Sequence, residues 1–235
     1  MFTMARPENR QLALFDPQVL VYTAICSTTV LGGYKFYTNN LRRISRTAEI
    51  PLKAFRRRFL VGKVTSVGDG DNFHFYHLPG GVFAGWGWLR KLPRVNNFRG
   101  LKNKTLSVRL CGVDAPERAH FGKPAQPFSE DSLIWLKSYI LGKKVYVKPL
   151  QVDQYGRVVG KVKILKWNGL RDVSEEMIRY GIGVVYEGGA KFAEFDGKEA
   201  KYKKLESRAK SRKLGLWGVK TKNFLTPGEY KRKYA

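Results

Sequence analysis

Three short segments concentrate the side chains that could work on a phosphate: Asp69-Gly70-Asp71-Asn72, the run Arg109-Leu-Cys-Gly-Val-Asp114-Ala115-Pro116-Glu117, and Asp153-Gln154-Tyr155-Gly156-Arg157. The chain holds 44 Lys and Arg against 19 Asp and Glu, a formal charge of +25, so acids clustered at strand ends are not needed for solubility. Closely spaced carboxylates suit a hard cation that prefers oxygen ligands, which makes Asp71 and Asp114 ligand candidates. Glu117 lies three residues past Asp114, beyond a proline turn, where it could face the same pocket and activate a water as general base. Arg109 and Arg157 would supply planar, permanently charged donors for a phosphate that gains charge in the transition state. Taken singly, each segment also reads as an ordinary turn. Their order and spacing together carry the argument.

Strands and helices must hold these segments in place. Apolar and basic residues mix over Phe59 to Val67 and Thr105 to Val113. Val145 to Val147 and Val158 to Leu165 add two more strands, the last alternating Val158, Gly160, Val162 and Ile164 against Lys161 and Lys163. Short strands with turn signals between them fit a small barrel. Helices are predicted over Ser129 to Leu141, with Gly142 as the stop, over Asp172 to Tyr180, with Asp172 and Ser174 as cap candidates, and over Lys198 to Lys213. The fold class is α+β.

The composition, 43% hydrophobic and 13% aromatic, supplies a sizeable core and excludes a disordered basic tail. The charge excludes an acidic solvating protein and makes a polyanion the first partner to test. Neither Cys26 nor Cys111 suggests a disulfide framework or a zinc site. After an N-terminal tail, residues 1–16, the segment 17–41 carries one charge, Lys35, and is long enough to span a bilayer as a single transmembrane helix. A buried helix and the apolar part of a cleaved signal peptide are the other readings. A basic linker, 42–58, follows, and the positive-inside rule places it in the cytosol or matrix. It could also hold anionic lipid. A second basic tail is expected over 219–235.

In chain order, GDGDN, RLCGVDAPE, the helix near Leu133 to Leu141, DQYGR, the helix near Asp172 to Tyr180 and the terminal KLGLWG resemble the staphylococcal (micrococcal) nuclease, or thermonuclease-like, family. The resemblance covers residues 59–218. It implies an OB-fold, a five-stranded β-barrel with three helices, and a calcium-dependent phosphodiesterase acting on DNA and RNA. By position it implies that Asp71, Asp114 and the Ala115 backbone carbonyl bind Ca²⁺, that Arg109 and Arg157 bind the phosphate, that Glu117 is the catalytic acid/base, and that Tyr155 and Tyr186 line the nucleotide pocket. Asn72 and Ala115 depart from the family's usual threonines, and a backbone carbonyl ligand survives the second change. The whole arrangement, with the span ahead of it, is similar to the membrane-anchored mitochondrial endonucleases of fungi, which implies a mitochondrial membrane. Residues 1–16 hold only Arg6 and Arg10 beside Glu8 and make a poor transit peptide. A catalytically inactive, membrane-docked OB-fold module that only binds nucleic acid is the alternative, and the retained acids speak against it, because polyanion binding needs none of them.

The stretch 73–105 reads as an insert between the first two motifs. Its aromatics Phe83, Trp86, Trp88 and Phe98 stand among bases and could stack on single-stranded bases or cover the barrel. His74 and His77, three apart in a β segment, are expected on opposite faces, and His120 is expected to be a bystander.

Overall fold

The computed structural model describes residues 16–119, 122–188, 194–218 and 225–234. The chain divides into two compact units, 1–42 and 43–235.

In the first unit, helix α1 (Pro17–Phe36) starts at an Asp16 cap whose Oδ1 accepts the Gln18 N–H at 2.8 Å, with Pro17 at the first helical position. A π turn, Tyr37–Leu41, continues it. None of its side chains is buried. Among the described residues, 17–41 is the one helix long and apolar enough to cross a membrane.

In the second unit, strands β1 (Leu60–Asp69), β2 (Asn72–His77), β3 (Leu106–Leu110), β5 (Lys144–Val152) and β6 (Val158–Lys166) form a barrel, with the two-residue β4 (Val113–Asp114) between β3 and β5. The neighbours run β3-β2-β1-β5-β6, and the parallel pairing of β3 with β6 closes the circle. All other neighbours are antiparallel. Two register shifts in the β1–β2 pair bend β1 over the core, the usual means of curving a sheet into a small barrel. The period-two pattern sends Val64, Phe73, Phe75, Val108, Val145, Val147, Val162 and Ile164 inward, all at 1% exposure or less. Burying each is worth roughly 1.5–3 kcal/mol. The hairpin strand β7 (Gly169–Asp172) extends beyond β6, and β8 (Val184–Val185) pairs with β4.

Around the barrel stand α3 (Ser129–Ile140), α4 (Val173–Arg179) and α5 (Glu199–Ser211), as the periodicity predicts. Asp172 caps α4 by accepting the Ser174 and Glu175 N–H groups, whereas Ser174 lies inside the helix. A four-residue helix α2 (Phe98–Leu101) lies before β3.

Three segments differ from the sequence expectation. Residues 43–58 pack instead of hanging as a linker: Ile44, Ile50 and Ala54 are buried in the core, and the Ile44 N–H donates to His77 Nδ1 at 3.0 Å. The first residues of the expected insert, Phe73 to His77, are barrel strand β2, so the connection proper begins at Leu78. There Trp86 is buried edge-on against Tyr76, while Phe83, Trp88 and Phe98 are exposed. Within the expected tail, Pro227–Lys233 forms helix α6, started by a Thr226 and Glu229 capping box. His74 and His77 face opposite sides of β2, and burial and then Arg43 push the His77 imidazole down to about 4, so it is a neutral structural acceptor. His120 lies outside the described residues.

Candidate active site

The β1–β2 turn delivers Asp71 to the rim of the barrel. Gly70 is required there by close approach, because a Cβ on it would meet the Ala115 Cβ at 2.6 Å. Asn72 pairs with Arg109 of β3, and the Leu110 N–H donates to the Asp71 carbonyl at 2.9 Å, so ladder geometry sets Asp71 beside Arg109. Four residues on from β3, the short β4 holds Asp114 through its pairing with Val184. Tyr186, just past β8, is tied to the same place by its N–H to the Gly112 carbonyl at 3.2 Å.

Arg109 is the hinge of this wall. One guanidinium nitrogen lies 3.0 Å from Asp71 Oδ2 and 2.8 Å from Asp114 Oδ1. Burial opposes its charge, but Asp71 and Asp114 outweigh that and raise its pKa, so it stays a cation. Its guanidinium also sits 5.3 Å from the centre of the Tyr186 ring. Burial raises the Asp114 carboxyl above its ordinary value. The neighbouring Asp69 is pushed up to about 6, first by burial and then by Asp71.

Glu117 is fixed through its backbone. Its N–H donates to Gln126 Oε1 at 2.8 Å, and the Gln126 N–H returns to the Glu117 carbonyl at 2.8 Å. This clamp leaves the carboxylate half-buried and pointing into the cleft.

A second wall is the turn between β5 and β6, the strand that pairs with β3. Asp153 Oδ1 accepts the Tyr155 and Arg157 N–H groups, both at 2.9 Å, and its Oδ2 accepts Arg157 Nε at 2.7 Å. Gly156, at φ +74°, lets the turn reverse. Tyr155 is exposed, with the Arg157 guanidinium 5.1 Å from its ring centre.

One open cleft of about 700 Å³ brings these together: Asp71, Arg109, Asp114, Glu117, Tyr155, Arg157 and Tyr186 all line it. Ala115 is buried behind it, its methyl group against Gly70. Asp69, inside the first motif, lines the cleft without a role assigned to it, and two participants lie outside the motifs: Gln126 and Lys231 of α6. Lys231 Nζ lies 2.7 and 2.9 Å from the two Asp114 oxygens and 2.9 Å from Glu117 Oε1. The capping box at Thr226 to Glu229, with Pro227 at the first position, is the signal that marks α6 in the sequence.

Comparison with known proteins identifies the family. Residues 107–219 match the family model described as staphylococcal nuclease homologue, a range that holds Arg109, Asp114, Glu117, Tyr155, Arg157 and Tyr186, while Asp69, Asp71 and Lys231 lie outside it. A protein of Komagataella phaffii named "Probable endonuclease LCL3" is 58% identical over 226 residues, covering 96% of this chain and 98% of that protein. Proteins of the same name are 48% identical in Candida glabrata, over 94% of this chain and 96% of that one, and 51% identical in Debaryomyces hansenii, over 97% and 95%. With a closed five-stranded barrel, three packed helices and relatives this similar over nearly its whole length, the chain belongs to the staphylococcal nuclease homologue family.

Proposed function

We propose that this protein is a Ca²⁺-dependent endonuclease that hydrolyses phosphodiester bonds in DNA or RNA, anchored to a membrane by α1. The observation that carries the reading is the convergence of Glu117, Asp114, Arg109 and Arg157 on one cleft. A domain that merely bound polyanions would gain nothing from four acids, Asp69, Asp71, Asp114 and Glu117, at its binding cleft.

The donor set fits a hard divalent cation. Asp71 and Asp114 are both buried at the base of the cleft, and each already draws a cationic side chain. Among the described residues no cluster of three or more His, Cys, Asp or Glu has ligand geometry, so the Ala115 carbonyl and water would complete the coordination. Bound there, the ion would neutralise charge developing on a phosphate oxygen. Arg109 and Arg157, both lining the cleft, would hold the phosphate with planar donors. Glu117 would take a proton from water, whose oxygen attacks phosphorus as the bond to the leaving oxygen breaks; the leaving oxygen would take a proton from solvent in the open cleft, and Glu117 would then return its own proton to solvent. Tyr155 and Tyr186 offer ring faces at either side for the flanking nucleotide.

At 1.5 Å per residue the twenty residues of α1 measure about 30 Å, the thickness of a bilayer core. The assignment to a mitochondrial membrane rests on the family resemblance, and subcellular fractionation tests it.

The decisive experiment follows cleavage of single-stranded DNA and RNA by the purified full chain in detergent, with Ca²⁺ added or chelated and Glu117→Gln in parallel. Calcium-dependent cutting, reduced about 10²-fold or more in the variant, is expected. Binding without cutting under any metal would instead support the inactive OB-fold module.

A further inference from the structure

Helix α6 reaches the site from the far end of the chain and is fastened at three points to the loop that carries Glu117. The Tyr230 hydroxyl donates to the Pro124 carbonyl, Gln126 Nε2 donates to the Leu225 carbonyl at 3.1 Å, and Lys231 enters the cleft. Gln126 therefore holds both the backbone of Glu117 and the approach to α6. An ammonium has three protons, and the three oxygens within reach of Lys231 Nζ are both those of Asp114 and one of Glu117. Two hydrogen bonds go to the proposed metal ligand, and an ion pair joins the same ammonium to the proposed general base.

We propose that Lys231 is the site's resident counter-cation: it holds Asp114 and Glu117 in register, and a divalent ion binds only by displacing its ammonium. The inference rests on the reading of Asp114 as a metal ligand. Charge explains why such a residue is present. Asp71 and Asp114 share one guanidinium nitrogen of Arg109, and the Asp114 side chain is 3% exposed, so without Lys231 two buried carboxylates would lean on a single cation. Exposure explains why the contact can open. The Lys231 side chain is 41% exposed, so its ammonium has a path back to water along its own stem. A divalent ion brings twice the charge to the same oxygens. While Lys231 is in place, its ammonium lies 2.9 Å from the Glu117 oxygen and occupies the space a water would need there. Displacement would supply the metal, free the base and release α6 in one step.

Competition of this kind raises the apparent dissociation constant by the inverse of the fraction of molecules with the site free. The test is calorimetric titration of Ca²⁺ into the full chain in detergent, comparing wild type with Lys231→Met and with Tyr230→Phe, which keeps the ammonium but loosens α6. Lys233→Met, on the same helix, controls for the loss of one positive charge. Lys231→Met is expected to bind Ca²⁺ about tenfold tighter or more, Tyr230→Phe to shift less in the same direction, and Lys233→Met to stay within about twofold. Hydrogen exchange over residues 227–233 should accelerate when Ca²⁺ is added to wild type. Equal or weaker Ca²⁺ binding by Lys231→Met, or unchanged exchange in α6, would overturn the proposal while leaving the nuclease reading intact. Absence of Ca²⁺ binding in every protein would remove both the competition and the metal-dependent reading.

Discussion

The two walls of the cleft each present an arginine held by aspartate, yet they are built differently. Arg109 issues from a barrel strand and is shared between Asp71 and Asp114, carboxylates that come from two other elements. Arg157 belongs to a five-residue turn whose own first member, Asp153, holds both its backbone and its guanidinium. The first wall is a buried network in which each charge depends on the others. The second is a local device that closes on itself. Two side chains of the same type, facing one cleft, should therefore have the same worth to catalysis and different worth to the fold.

Alanine substitutions test this most severely. Arg109→Ala and Arg157→Ala should each reduce cleavage about 10²–10³-fold, the usual cost of removing one preorganised donor to a transition-state oxyanion. Denaturant titration should separate them. Arg109→Ala leaves Asp71 and Asp114 facing each other, and removing one partner from a buried network costs about 3 kcal/mol or more. Arg157→Ala, on a half-buried turn pair, should cost under about 1 kcal/mol. Equal stability losses would show that the walls are energetically alike.

Metal addition sharpens the same contrast. Ca²⁺ at a hundred times its dissociation constant should stabilise the wild type by about 2.7 kcal/mol. Asp114→Asn should abolish that gain, and Arg157→Ala should preserve it. A gain lost in Arg157→Ala would place the ion between the walls instead of on the first.

The same division between local and shared construction decides what the sequence revealed. Val158, Gly160, Val162 and Ile164 alternate against lysines, and that period made β6 readable. Asp153 to Arg157 is a complete turn within five residues, so its motif carried its geometry with it. Strand β2 has the same alternation, with Phe73, Phe75 and His77 inward, but an aromatic and glycine-rich run continues directly from it and hid where the strand stops. Ile44, Ile50 and Ala54 were submerged in a basic stretch because their burial depends on the surface they meet. Lys231 meets Asp114 across 117 residues, and no local pattern encodes that contact. Residues 219–235 read from sequence as a basic tail, a reading that passes over the capping box at Thr226, and the box in any case does not encode where the helix docks.

The smallest effect comes from the surplus negative charge of the first wall. The Asp69 carboxyl has a folded-state pKa of about 6, above its ordinary 3.8, because of burial and then Asp71. The folded protein therefore binds this proton more tightly than the unfolded chain does. The resulting stability is fully present below about pH 4 and is lost as pH rises through 6. At pH 7.5 in chelator the ionised carboxylate opposes folding, by on the order of 1–2 kcal/mol once its partial exposure to solvent is allowed for. Asp69→Asn keeps an oxygen to accept the Gly70 N–H, which Asp69 Oδ1 now takes at 2.8 Å, while removing the charge. Thermal unfolding in chelator should show the variant more stable than wild type at pH 7.5 and indistinguishable from it at pH 4. With Ca²⁺ bound the difference at pH 7.5 should shrink, since the ion offsets the charge that raises Asp69.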